Sequence, residues 1–143
     1  MSGQYGRSFA SKLIQDGKYA DAVEAATKAI AAEEEDPEHR LDRATALVEL
    51  GRPAEALADF ESALAFDDNA NVLETDFVDD AYFSALLEVA RGEAVADGVT
   101  RLARYLDVLP KGRHTKDVSD WQKRLRGELP SEFVKRRVDD VRE

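Results

Sequence analysis

An all-α fold of stacked helical hairpins is what the sequence predicts, and three observations predict it. Residues of matching size recur at a step of 34: Gly17 and Gly51, Ala10 and Ala44, Leu13 and Leu47, Ala22 and Ala56, Ala29 and Ala63, Ile30 and Leu64. Between them, apolar residues return at the helical spacing rather than in the alternation of a strand. Gly and Pro stand at the ends of these stretches. Each unit reads as helix, glycine turn, helix. One such pair cannot bury its own apolar face, so the pairs must stack.

The elements follow in order. The first helix spans about Tyr5–Asp16 and stops at Gly17, which can take the left-handed conformation that closes a helix. The second spans about Tyr19–Glu33, with Ala22, Ala25, Ala26, Ala29 and Ile30 on its apolar face. Asp36-Pro37 restarts the chain, because Asp caps a helix start well and Pro fits its first position. The third helix covers about Pro37–Leu50 and ends at Gly51. Pro53 opens the fourth, about Pro53–Phe66, whose stripe is Leu57, Phe60 and Leu64. The alanines at 10, 22, 29, 44, 56 and 63 let helix axes approach closely.

A third, less regular unit follows. Asn69–Thr75 is an insertion rich in turn residues. A fifth helix is expected over about Glu74–Arg91, with a turn at Gly92, and a sixth over about Ala94–Val108, closed by Leu109-Pro110. Beyond a basic linker, Lys111–Thr115, two more helices are expected at about Lys116–Arg126 and Ser131–Arg142. Val118, Trp121 and Leu125 mark the face of the former, and Val134, Val138 and Val141 that of the latter. The reading is one domain, 1–143, with repeats at about 3–36, 37–70 and 74–110 and a C-terminal cap at 116–142, the cap being what a repeat array needs at its end.

Composition bounds the function. With 143 residues, 43% of them hydrophobic and 35% charged, the chain is expected to be globular. No run approaches the ~20 apolar residues of a membrane helix, and Met1–Ser11 does not read as a secretory leader. There is no Cys, so disulfides, thiol catalysis and thiolate metal sites are out. The charge is uneven: residues 1–109 carry 10 basic and 23 acidic side chains, and residues 110–143 carry 10 and 7. An acidic body disfavours nucleic acid, which needs a field of Lys and Arg, and an anionic membrane surface. It attracts a basic partner.

The 34-residue period, the turn glycines, the small residues and the aromatic Tyr19 or Phe60 together make this chain resemble tetratricopeptide repeat (TPR) proteins, most cleanly over Pro37–Ala70. That resemblance implies a right-handed helical-hairpin solenoid of about three repeats. It also implies a non-catalytic adaptor or scaffold that holds a peptide or helix of a partner protein in a concave groove. Matched by repeat, the groove is expected to use Arg7, Ser11, Ile14 and Gln15 from the first unit and Leu41, Thr45, Val48 and Glu49 from the second. Tyr82 and Leu86 are expected from the third. Leu41, Val48 and Tyr82 would be its solvent-facing apolar set. The carboxylate clamp of chaperone-binding TPR domains is not expected: the matching positions are Arg7, Ser11, Asp42, Asp79 and Phe83, and only Arg7 keeps the required charge.

Nothing in the sequence points to catalysis. His39 and His114 lie in different elements without metal-ligand spacing, and both are expected at the surface. No serine has a nucleophile-elbow context and no phosphate loop is present. Neither a cofactor nor a metal is expected. The acidic run Glu33–Asp36 reads as a solvated helix end. The competing readings are a self-associating structural TPR protein, pairing as a homodimer through Ser131–Arg142 or the groove, its variant a secretion-type chaperone, and an enzyme or nucleic-acid binder using the basic end. A cytoplasmic location is expected for all of them.

Overall fold

The computed structural model describes residues 9–66, 73 and 76–128. Among these are seven helices: α1 (Phe9–Gln15), α2 (Tyr19–Ala32), α3 (Pro37–Glu49), α4 (Pro53–Phe66), α5 (Asp76–Arg91), α6 (Val95–Val108) and α7 (Thr115–Leu125). α2, α3 and α4 begin at the expected Tyr19, Pro37 and Pro53. The helix expected over Ser131–Arg142, and most of the Asn69–Thr75 insertion, fall outside the described residues. Leu73 is the exception, and it is fully buried.

The chain forms two compact units, residues 1–85 and 86–143, and the division falls within α5. In the first unit α1 packs on α2, α2 on α3, α3 on α4, and α1 also on α3. Two hairpins are therefore stacked as the repeat predicts. Their interface is built from small residues: Ala22, Ala26, Ala44, Ala46, Ala56 and Ala63 have no exposed surface. Ile14, Ala22 and Ala46 form one cluster, with Leu13, Tyr19 and Val23 packed around it. At the far side Phe60 and Tyr82 meet edge to face, their centroids 5.2 Å apart.

The turns have definite causes. Gly17 and Gly51 have φ of +78° and +75°. Behind each, the next residue's amide reaches back to the helix: Lys18 N–H donates to the Leu13 carbonyl at 2.8 Å and Arg52 N–H to Leu47 at 2.9 Å. These are paired helix-closing bonds around a left-handed glycine. Gly92 also turns the chain, but with no positive φ. At the start of α3 the Glu38 N–H donates to Asp36 Oδ1 at 2.9 Å, with Pro37 in the first helical position.

In the second unit α6 packs on α7. Gly98 permits a close crossing: a Cβ there would come within 2.7 Å of the Ala90 carbonyl oxygen. Gln122 Nε2 donates to the Val99 carbonyl at 2.9 Å, tying α7 to α6. The buried Tyr105 hydroxyl accepts from the His114 N–H at 2.9 Å and fixes the entry to α7. His114 is thus held against Tyr105 and Asp117, and is only partly exposed, contrary to expectation.

Candidate functional site

The face expected to bind a partner is mostly packed inside. Ile14, Leu41, Thr45, Tyr82 and Leu86 are all buried. Tyr82 has no exposed surface, and its hydroxyl donates to Glu61 Oε2 at 3.3 Å. Thr45 is turned onto its own helix, donating to the Leu41 carbonyl at 2.8 Å. Leu41 and Tyr82 therefore do not form a solvent-facing apolar set. The physical reason is the width of the interior stripe. In stacked hairpins the first helix of each pair touches its own partner and the next pair, so its apolar residues fill two contacts. Ser11 and Val48 are half-buried, while Gln15 and Glu49 are exposed. Arg7 lies outside the described residues.

Open apolar surface lies elsewhere in the first unit. A shallow cavity of about 490 Å³ is lined by Phe9, Ala10 and Leu13 of α1 and by Ala25 and Ala29 of α2, with Asp21, Glu24 and Lys28 at its rim. Phe9 is 70% exposed, the most exposed large hydrophobic side chain among the described residues. Spacing alone marks Ala25 and Ala29 as one helix face. It does not show whether that face meets a neighbour or solvent.

Two charged clusters complete the unit. Arg43 of α3 holds Asp59 of α4 through a fork, Nε to Oδ2 and Nη2 to Oδ1, both at 2.7 Å. Its Nη1 reaches Thr27 Oγ1 of α2 at 3.2 Å. The Asp59 side chain is only 8% exposed. The hydrogen bond to Asp59 raises the Arg43 guanidinium above its ordinary value. This lock joins three helices and was not read from the sequence, although Asp59 stands three residues after Ala56 and four before Ala63, on the buried face. At the start of α3, His39 Nε2 is 2.7 Å from Glu33 Oε1 and 3.7 Å from Asp36 Oδ2. His39 is largely buried, not at the surface as expected, and the acidic run supplies its partners.

Glu33, Asp36 and His39 offer three ligand atoms within 4.8 Å of one another. The arrangement already has a structural use, because Asp36 caps α3 and Glu33 bonds the ring. His39 Nδ1 is buried without a partner, whereas metal-binding histidines orient the ring through that second nitrogen. The trio therefore fits a latch on the α2–α3 turn better than a metal centre. Glu38, in the first turn of α3, has its pKa raised by desolvation and by the neighbouring carboxylates Asp42 and Asp36.

No described helix is long and apolar enough to cross a membrane. Residues 13–74 match the tetratricopeptide repeat family. The matched stretch begins in α1 and runs past the end of α4. It therefore takes in most of the two stacked hairpins, in keeping with the all-α hairpin fold expected. No curated protein and no solved structure matches the chain.

Proposed function

We infer that this chain, a tetratricopeptide-repeat protein over residues 13–74, is a non-catalytic interaction module. Its occupant is an amphipathic, net-basic helix of a partner protein, docked on the α1–α2 face. The observation that carries this reading is the open apolar cavity between Phe9, Leu13, Ala25 and Ala29. Repeats of this kind mediate contacts between proteins, and each hairpin is shaped to receive a helix from its neighbour. The apolar lining of the α1–α2 face is open and Phe9 is exposed, so this face suits a helix from outside. Charge selects which helix. Residues 1–85 carry 7 basic and 19 acidic side chains, and Asp21 and Glu24 stand at the cavity rim. Leu or Phe anchors at helical spacing would fill the cavity while flanking Lys or Arg face the rim.

The test uses two synthetic helices with one leucine stripe, flanked by lysines in one and glutamates in the other. Binding to the full chain is read by fluorescence anisotropy. The lysine helix is expected to bind and the glutamate helix not to. Phe9→Ser, at an exposed position, should weaken binding about tenfold, the effect of losing one buried aromatic anchor. Equal binding of both helices, or no effect of Phe9→Ser, overturns the reading. Concentration-dependent self-association that Phe9→Ser abolishes would assign the same face to a second copy instead.

A further inference from the structure

We propose that Arg91, Trp121 and Arg124 form a binding site for a carboxylate carried by an acidic segment of a partner protein. All three belong to the second unit, and this site is independent of the α1–α2 face. The Arg124 guanidinium carbon lies over the Trp121 ring, 3.4 Å from its centroid, and that of Arg91 is 5.2 Å from the same centroid. Two cations thus converge on one indole.

Cation–π attraction accounts for each arginine separately. It does not account for bringing the two together, because like charges repel. Burial lowers the Arg124 pKa, and Arg91 is the strongest charge acting on it, ahead of the opposing Asp120. Asp120 is itself engaged, 3.2 Å from Lys116 Nζ. Among the described residues Arg91 is paired with Glu88, on its own helix and at 3.6 Å. Among the described residues no carboxylate bonds Arg124, and its Nε is buried without an acceptor. By contrast two other half-buried guanidiniums, Arg43 and Arg101, each hold a carboxylate in a two-pronged fork at 2.7 Å.

The indole therefore holds a positive pair in place, and among the described residues Arg124 has no carboxylate bonded to it. A guanidinium fixed on an aromatic face keeps the planar fork that matches a carboxylate. Little side-chain freedom remains to be lost on binding, since the stack already restrains Arg124. The net charge of −10 on the chain favours a singly charged group on a peptide over a dianionic phosphate or a nucleic acid, which would meet stronger long-range repulsion.

Trp121 is the single tryptophan of the chain, so its emission reports on this site alone. The probe is a capped Gly-Glu-Gly peptide, compared with Gly-Gln-Gly and with inorganic phosphate, all at one ionic strength set with chloride. The glutamate peptide is expected to shift the emission saturably, and the glutamine peptide to leave it unchanged. Arg91→Gln, at a half-exposed position, should weaken the glutamate peptide about tenfold, as for loss of one charge-assisted hydrogen bond. Arg124→Lys, which keeps the charge and loses the fork, should weaken it too. Calorimetric titration separates these losses from any change in the emission of the variant itself. The assignment is overturned by equal response to the glutamine peptide, by an Arg91→Gln chain that binds as before, or by phosphate binding more tightly than the peptide.

Discussion

Asp59 shows what one charged residue in a repeat interface demands. Its carboxylate is nearly buried, and only the Arg43 fork and the hydrogen bonds it makes offset its desolvation. Removing the arginine leaves a buried charge alone. Arg43→Met should therefore destabilise the protein by about 2–3 kcal/mol, less than a fully enclosed pair because the arginine is part-exposed. The shift of the urea midpoint measures it, and a chain with Asp59→Asn added should recover much of the loss. Tyr82 makes the corresponding apolar statement. It is fully buried and meets Phe60 edge to face, so Tyr82→Ala should cost about 3–5 kcal/mol in the same assay. Glu38 works against stability at neutral pH. Its pKa is raised in the folded chain above the ordinary 4.5, so the folded state binds its proton more readily than the unfolded state. This group's contribution to stability therefore improves as pH falls through the folded value towards 4.5. Glu38→Gln should raise the melting temperature at pH 7, and the gain should vanish once the pH is below about 4.5. A gain that persists in acid would place its cause outside Glu38 ionisation.

At the scale of the element, the ends of helices were legible because their chemistry is local. Asp36-Pro37 starts α3 and Pro53 starts α4, while Gly17 and Gly51 close α1 and α3. Each is decided by a residue and its near neighbours. The orientation of the faces was not legible in the same way. The repeat says which positions are equivalent, and the resemblance to tetratricopeptide repeats placed Ile14, Leu41 and Tyr82 among the lining of one surface. It does not say how far each helix is rotated into its neighbours. Packing decided that, and turned all three inward. The α1–α2 cavity was missed for the same reason, since alanines at 25 and 29 suit a contact and an open face equally well. The glycines separate local from packing causes in one experiment. Gly51 has φ +75° and open space around a Cβ, so Gly51→Ala should cost about 1 kcal/mol through backbone strain alone. Gly92 has neither positive φ nor a tight neighbour, its nearest atom being 3.7 Å away, and Gly92→Ala should be near neutral in thermal melts. Gly98 is a packing glycine. A Cβ would meet the Ala90 carbonyl at 2.7 Å, so Gly98→Ala should cost about 1–3 kcal/mol by forcing α6 from its neighbour.

For the whole molecule, charge divides by unit as well as along the sequence. Residues 1–85 carry a net −12 and residues 86–143 a net +2. A field of that size acts over distances longer than any contact, and salt screens it within about 8–10 Å at physiological strength. The apolar cavity acts only on contact. The two contributions to partner binding should therefore separate kinetically. Association of the lysine-flanked helix with the α1–α2 face should slow by about tenfold when ionic strength is raised from low to physiological. Its dissociation should change little, because the leucine stripe in the cavity is not screened. Phe9→Ser should do the reverse, speeding dissociation while leaving association and its salt slope nearly intact. Stopped-flow anisotropy with the labelled helix resolves both rates. If salt acted on dissociation and Phe9→Ser on association, the acidic unit would be the contact itself and the cavity only a bystander.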